Sequence, residues 1–403
     1  MPFREVSKVS SRREFVSLAA QPEANIRALC RAFRISPSTG YHWIRQHQER
    51  GEAGLVDRSR RPKHSPNQSS SEIEALVLKL RHEHPAWGAP KIRVVLERDF
   101  NIRRAQSTVH AILRRNGKID PAAAERSRAW QRFEKSMPNE LWQMDFKGHF
   151  DTGQGRCFPL TVLDDHSRYS LVLQACANEQ FVTVQPALSA AFRRYGLPSA
   201  MLMDNGNPWG NASAGHPYTK LTVWLIRLGI TALHSRPLHP QTLGKDERFH
   251  RTLKAEVLGT RWFDSHHHVQ AAFDRWREVY NHQRPHEALD MSVPATRYNL
   301  SVRSFPETLP SLDYGPTDIV RSIGTNGNLR IKGREIPFCQ AFRGQRVALR
   351  PTQDDGQFDI FYAHQRVGRL DLRTNVAFCT TSSRHHVPDE SNAKGLPVVD
   401  AIA

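Results

Sequence analysis

The hydrophobic period of this chain changes at residue 139, and that change restricts the fold more than any other feature. Upstream, apolar residues recur every three or four positions in short segments separated by turn residues. Downstream, three strand-like runs follow one another (140–150, 158–163 and 169–175), joined by polar turns at 151–155 and 164–168. Helical segments at 183–195 and 221–228 then alternate with short strands at 199–203 and 230–234. Three antiparallel strands followed by alternating helices and strands is an α/β order.

Residues 234–254 join a loop to a helix. Pro237, Pro240 and Gly244 forbid regular structure in the first half. From about Lys245 the segment is helical, with Phe249, Leu253 and Val257 on one apolar face. Glu247, Arg251 and Lys254 fall on the opposite face. On the helix alone this stripe reads as a solvated face with ordinary charge pairing. Two acids upstream change the balance. Asp145 lies in the run from Leu141 to Phe146, and Asp204 ends the run that begins at Ala200. An ionised carboxylate in or beside a core strand is costly unless it is paired or holds a metal.

Three features together resemble the DDE catalytic core of bacterial insertion-sequence transposases and retroviral integrases. Asp145 sits in a strand, Asp204, Asn205 and Gly206 follow a second strand, and the third feature is the run His239, Pro240, Gln241, Thr242, Gly244, Lys245, Glu247, Arg248, Phe249, His250, Arg251, Thr252, Leu253 and Lys254. The resemblance covers about residues 139–298. It implies a ribonuclease-H-like fold and two-metal phosphoryl transfer on DNA, with Asp145, Asp204 and Glu247 as the catalytic and metal-ligating residues. Two Mg²⁺ ions are expected, with Mn²⁺ able to substitute, because Mg²⁺ prefers carboxylate and water oxygens. Asp145 would bridge both ions, Asp204 complete one and Glu247 the other. One departure is an interval between Asp204 and Glu247 longer than the family's usual one. The Gly- and Pro-rich stretch 208–218 looks like a loop insertion there, which chains tolerate cheaply.

A net charge of +17 points to a polyanion, most often nucleic acid, although a merely basic protein carries such a charge too. Cys30, Cys157, Cys176, Cys339 and Cys379 form no CxxC, which argues against a disulfide framework or a cysteine-rich zinc site and suits a reducing compartment. There is no long apolar run and no signal-peptide pattern, so a cytoplasmic, nucleoid-associated protein without a membrane partner is expected.

The expected organisation is multidomain. It comprises N-terminal all-α helix-turn-helix units, a central α/β ribonuclease-H-like core and a small C-terminal β-barrel. A helix-turn-helix domain at 1–50 has helices at 25–34 and 41–48, with Ser36 and Pro37 opening the second and residues 1–22 poorly fixed. A plain helical hairpin is the alternative reading. A basic linker at 51–71 carries Arg60, Arg61 and Lys63, which lie in a minor groove or are simply solvated. A second helix-turn-helix or winged-type domain at 72–117 ends in a candidate reading helix capped by Ser107. A charged stretch at 118–138 is a linker or a DNA-docking helix, and the integrase-type core spans 139–298. A linker at 299–317 leads to an SH3-like barrel at 318–379 and a flexible tail at 380–403. The expected DNA contacts are Arg45, Arg60, Arg61, Lys63, Arg114, Arg115, Lys245, Arg251 and Lys254.

Asp164 and Asp165 are turn formers on this reading, and Asp246 points about 100° away from Glu247 on the helix. His266, His267 and His268 open a helix, and Asn281, Arg284 and His286 brace the catalytic helix or touch DNA. The expected partners are double-stranded DNA, as terminal inverted repeats and target, and further copies of the chain, because both element ends are processed together. A nuclease with the same core and a transposase-derived helix-turn-helix regulator are the alternatives.

Overall fold

The computed structural model describes residues 8–57, 68–119, 134–206, 208–210, 217–235, 244–259 and 261–380. It forms two compact units, Met1–Ser70 and Ser71–Ala403.

The first unit contains α1 (Lys8–Ala19), α2 (Ile26–Ala32) and α3 (Pro37–Arg50), closed by a 3-10 turn at Gly51–Leu55. Asn25 and Ser36 cap α2 and α3, accepting the N–H of Ala28 at 3.1 Å and of Thr39 at 3.2 Å. The expectation that residues 1–22 are poorly fixed is corrected by α1 for residues 8–19, while residues 1–7 lie outside the described residues. Phe15 and Val16 complete a small core with Cys30 and Leu55, and the Arg12 guanidinium lies 3.8 Å from the Trp43 ring centroid. Gly40 allows the close packing: a Cβ there would stand 2.5 Å from Cys30 Sγ.

The second unit begins with α4 (Ser71–Glu83), α5 (Ala89–Phe100) and α6 (Gln106–Arg115), packed around Val77, Trp87, Ile92, Leu96, Val109 and Ile112. Helix α6 opens one residue before the expected Ser107 cap, with Ala105 at the N-cap and no side-chain cap. Helix α5 is tied to the domain that follows. Lys91 pairs with Glu287 at 2.8 Å, and the Arg98 guanidinium donates twice to Gln283 O at 3.1 Å.

The central domain is built on one mixed sheet. Its strands are β1 (Leu141–Phe146), β2 (Phe150–Thr152), β3 (Gly155–Asp164), β4 (Ser170–Cys176), β5 (Ala200–Met203) and β6 (Thr231–His234). Strand β3 lies antiparallel to β1, β2 and β4, while β1, β5 and β6 run parallel in that order. The single strand expected at 140–150 is broken at 147–149, where Gly148 takes φ +80°, and resumes as β2. Helices α7 (Phe181–Tyr195) and α8 (Lys220–Arg227) bury Val184, Leu188, Phe192, Leu221 and Leu225 in one apolar cluster with Trp142 and Met144 of β1. Helices α9 (Gly244–Leu253) and α10 (His266–His282) form another cluster through Phe249, Leu253, Phe273 and Trp276. Strand alternation therefore sends Gln143 and Asp145 to the α9 side. The core is the ribonuclease-H-like α/β arrangement expected.

The C-terminal strands are β7 (Ile319–Ser322), β8 (Asn328–Ile331), β9 (Arg334–Pro337), β10 (Arg346–Pro351), β11 (Gln357–Tyr362), β12 (Gln365–Asp371) and β13 (Val376–Cys379). They form an antiparallel five-stranded sheet in the order β13-β12-β11-β10-β7 and a β8–β9 hairpin. The SH3-like barrel expected is therefore, among the described residues, an antiparallel sheet with a hairpin and no continuous hydrogen-bonded ring, and Arg334 of β9 donates to Asn375 beside β13 at 2.7 Å. This sheet covers the open edge of β6. The Gln365 amide donates to Ala232 O at 3.0 Å and accepts from Ala232 N at 2.9 Å, occupying groups an edge strand otherwise exposes. The segment expected as a linker is packed: Leu197 N donates to Arg303 O, and Arg303 donates to Pro198 O and Gly229 O.

Candidate active site

The carboxyl end of β1 and the carboxyl end of β5 are neighbours. Gln143 is level with Leu202 in the parallel register, so Asp145 and Asp204, each two residues on, end adjacent strands on the same face. The turn after Asp204 is built around its carboxylate. Gly206 N donates to Asp204 Oδ1 at 3.0 Å, and Asn205 Nδ2 ties the turn to Ser235 O at 2.7 Å. A Cβ on Gly206 would come within 3.1 Å of Asp204 Oδ2, so glycine keeps that side of the carboxylate open. His234 Nδ1 donates to Asp204 O at 3.0 Å.

Burial raises the pKa of Asp145 to about 7, and the negative fields of Asp204, Glu179 and Glu247 add to it against the Phe146 N–H. Burial also raises Asp204, opposed by the Gly206 N–H and by His234. Glu247 stands exposed in α9, which packs on β1. Among the described residues no three His, Cys, Asp or Glu side chains converge closely enough to hold a metal ion. The three acids thus share one electrostatic neighbourhood without forming a ready-made ligand cage. They are oxygen donors in mutual repulsion, which is a set suited to hard divalent cations.

The acids read as turn formers are architectural. Asp164 accepts from Asn139 N, Ser167 N and Ser167 Oγ. Asp165 accepts from Lys135 N and Gln143 Nε2 and pairs with Lys245 Nζ at 2.5 Å. Lys245 therefore departs from the expected DNA contact, because its ammonium is turned inward and burial lowers its pKa to about 8. Asp246 is fully buried with neither carboxyl oxygen hydrogen-bonded among the described residues, and burial holds it well above the usual carboxylate range. His266 and His268 belong to a capped helix start, with Ser265 Oγ accepting from His268 N at 3.2 Å.

Of the other expected DNA contacts, Arg45, Arg114, Arg251 and Lys254 are exposed. Lys254 begins a π turn, Lys254–Leu258, that extends α9. Arg115 pairs with Glu74. Arg60, Arg61 and Lys63, the loop residues 211–216 and the motif residues His239, Pro240, Gln241 and Thr242 lie outside the described residues. Asn281 and His286 act as braces. Asn281 makes paired bonds to Ser170 N and O at 2.8 and 3.0 Å, and His286 packs edge-on against Tyr280, which packs on Phe249 of α9.

Two residues escaped the sequence reading. Glu179, ahead of α7, is raised by burial and by Asp204, so a fourth acid borders the site. His250 is largely buried between Asp145 and Thr161, with Nε2 2.8 Å from Thr161 Oγ1. Its helix position among charged residues resembled any solvated histidine.

Residues 318–377 match the IS481 family transposase C-terminal domain, and residues 135–240 and 228–294 match integrase core domains. Residues 11–63 match a helix-turn-helix domain and 39–113 a homeodomain-like domain. The chain is 27% identical over 256 residues to the insertion element IS407 uncharacterized 31.7 kDa protein of Burkholderia multivorans, covering 61% of this chain and 89% of that one. It is 25% identical over 249 residues to the insertion element IS476 uncharacterized 39.2 kDa protein of Xanthomonas euvesicatoria, covering 60% and 69%. Similar solved structures include a simian T-cell lymphotropic virus intasome in complex with PP2A regulatory subunit B56 gamma, at 14% identity and TM-score 0.37, covering 76% of this chain and 98% of that one. Another is the HTLV-2 integrase catalytic core domain in complex with magnesium, at 14% identity and TM-score 0.32, covering 41% and 100%. With helix-turn-helix segments ahead of an integrase core and an IS481-type transposase domain behind it, the chain has the domain order of an insertion-sequence transposase with an integrase-type core.

Proposed function

We propose that this protein binds the terminal inverted repeats of its insertion sequence, cleaves the DNA strand at the element's ends and transfers the 3′-ends to target DNA. The observation that supports this most is the Asp145–Asp204 pair, level at the carboxyl ends of adjacent parallel strands and raised in pKa by burial. Asp145, Asp204 and Glu247 are the catalytic carboxylates on this reading. They would hold two Mg²⁺ or Mn²⁺ ions, with Asp145 shared. When bound, such ions supply positive charge to the attacking and leaving oxygens of a phosphodiester.

The chain's own groups do the remaining work. Strand pairing holds Asp145 and Asp204 side by side, and the apolar face of α9 sets the height of Glu247. Arg251 and Lys254, exposed on the same helix, hold DNA phosphates beside the acids. Arg45 and Arg114, on exposed faces of the helical units, with Arg60, Arg61 and Lys63 in the basic stretch, hold the element's end. Processing two ends together calls for a homo-oligomer on DNA, acting in the cytoplasm on the nucleoid.

The test uses purified protein, a duplex carrying the element's terminal repeat, a supercoiled plasmid and Mg²⁺ or Mn²⁺. Joining of the duplex 3′-end to the plasmid, lost in Asp145→Asn and Glu247→Gln, is the expected result. Cleavage without joining would make the protein a nuclease. Sequence-specific binding with neither reaction would make it a regulator.

A further inference from the structure

Asp145 is backed by two side chains that the carboxylate reading leaves without a task. Thr161 is its cross-strand partner in the β1–β3 register, and the Thr161 hydroxyl donates to Asp145 O at 2.9 Å. A carbonyl only accepts, so this bond uses the hydroxyl's single proton. The 2.8 Å contact between Thr161 Oγ1 and His250 Nε2 then requires the imidazole to donate. Nε2 therefore carries the proton. The ring's other nitrogen is Nδ1. That atom lies 3.9 Å from Asp145 Oδ2. The network joins three elements at the acids: β1 with Asp145, β3 with Thr161, and α9, which carries His250 one turn beyond Glu247.

Any buried imidazole needs a partner for its N–H, so what matters is which partner it takes. This one is threaded through a fully buried threonine to the backbone of the very residue its other nitrogen faces. We infer that His250 is a positioning residue for Asp145: it pins the β1 backbone through Thr161, closes the α9 side of the carboxylate, and fixes the height of Glu247 relative to Asp145. The inference rests on the carboxylate site proposed above, with the divalent cation as its ligand.

The test measures binding of Mn²⁺ alone to the full chain, counting free ion by electron paramagnetic resonance, beside thermal unfolding in chelator. His250→Leu and Thr161→Val should each weaken Mn²⁺ binding on the order of tenfold, the usual effect of losing a group that orients a metal ligand. His250→Gln keeps an N–H for Thr161 and should restore binding. The His250→Leu, Thr161→Val double variant should be no weaker than either single one, since both break one network. A folded His250→Leu variant that binds Mn²⁺ like the wild type, while Asp145→Asn does not, overturns the positioning role and leaves the carboxylate site standing. If Asp145→Asn binds Mn²⁺ as the wild type does, the carboxylate site falls and the inference with it. Should His250→Leu fail to fold, Thr161→Val and His250→Gln carry the same comparison.

Discussion

The two ends of β1 hold opposite kinds of acid. At its start, Asp164 and Asp165 are completely buried, yet each has three donors: main-chain N–H groups, a hydroxyl, an amide and the Lys245 ammonium. At its end, Asp145 and Asp204 are only partly buried, and among the described residues the donors to their carboxylates are main-chain N–H groups alone. The first pair is satisfied by the protein, so its charge is architecture. The second pair repels itself and, among the described residues, has no lysine or arginine paired with it, an arrangement suited to a cation from solution. Burial alone is thus a poor marker of function. The ratio of donors to carboxylates separates the two ends.

The sharpest way to break this contrast is substitution at the end of β1. Asp145→Asn, Asp204→Asn or Glu247→Gln should lower strand joining by several kcal/mol of barrier, on the order of 10³-fold, with a folded protein by circular dichroism. A variant that keeps its activity removes that acid from the site. At the other end, Asp165→Asn strands the Lys245 ammonium and should cost about 3 kcal/mol of stability, the scale of a broken buried pair. Denaturant unfolding reads it, and an unchanged midpoint would mean that the pair is not structural.

The pH dependence of stability should also separate the ends. Asp145 titrates near 7 when folded and near 4 when unfolded. Between those values the folded state binds the extra proton, so in chelator its contribution to stability falls as pH rises from about 4 to about 7. The penalty is complete above the folded pKa and absent below the unfolded one. The melting temperature of Asp145→Asn relative to wild type should therefore climb through that window. Saturating Mn²⁺ should stabilise the wild type more than Asp145→Asn. A difference that is flat with pH would contradict the raised pKa. The smallest effects belong to the exposed cations. Arg251→Ala and Lys254→Ala should each reduce the salt dependence of DNA binding by about one unit of slope. Lys245→Gln should leave that slope alone and lower the unfolding midpoint instead.

Much of this was legible because it depends on local pattern. The strand-like runs around Asp145 and Asp204, the helix of Phe249 and Leu253, and the cap Ser36 all follow from periodicity and short-range hydrogen bonding. Helix α1 was missed because its mean composition is polar and only Phe15 and Val16 are buried. Lys245 was misread because a lysine beside an acid motif looks like a phosphate contact until its partner, distant in sequence, is seen. Glu179 had no signal, since nothing near it in the chain resembles a site.

The order of elements and the three acids on or beside strand and helix ends follow from residue types and spacing, because those act over a few positions of chain. Which acids are satisfied, and which are left facing one another, is settled only by the tertiary structure. Asn139 N and Lys245 Nζ reach Asp164 and Asp165 from other parts of the chain, and folding sets the His250 ring beside Asp145. A carboxylate's role is set by the field of whatever folding brings beside it. That field falls off within a few ångströms in space, a distance the linear chain does not encode.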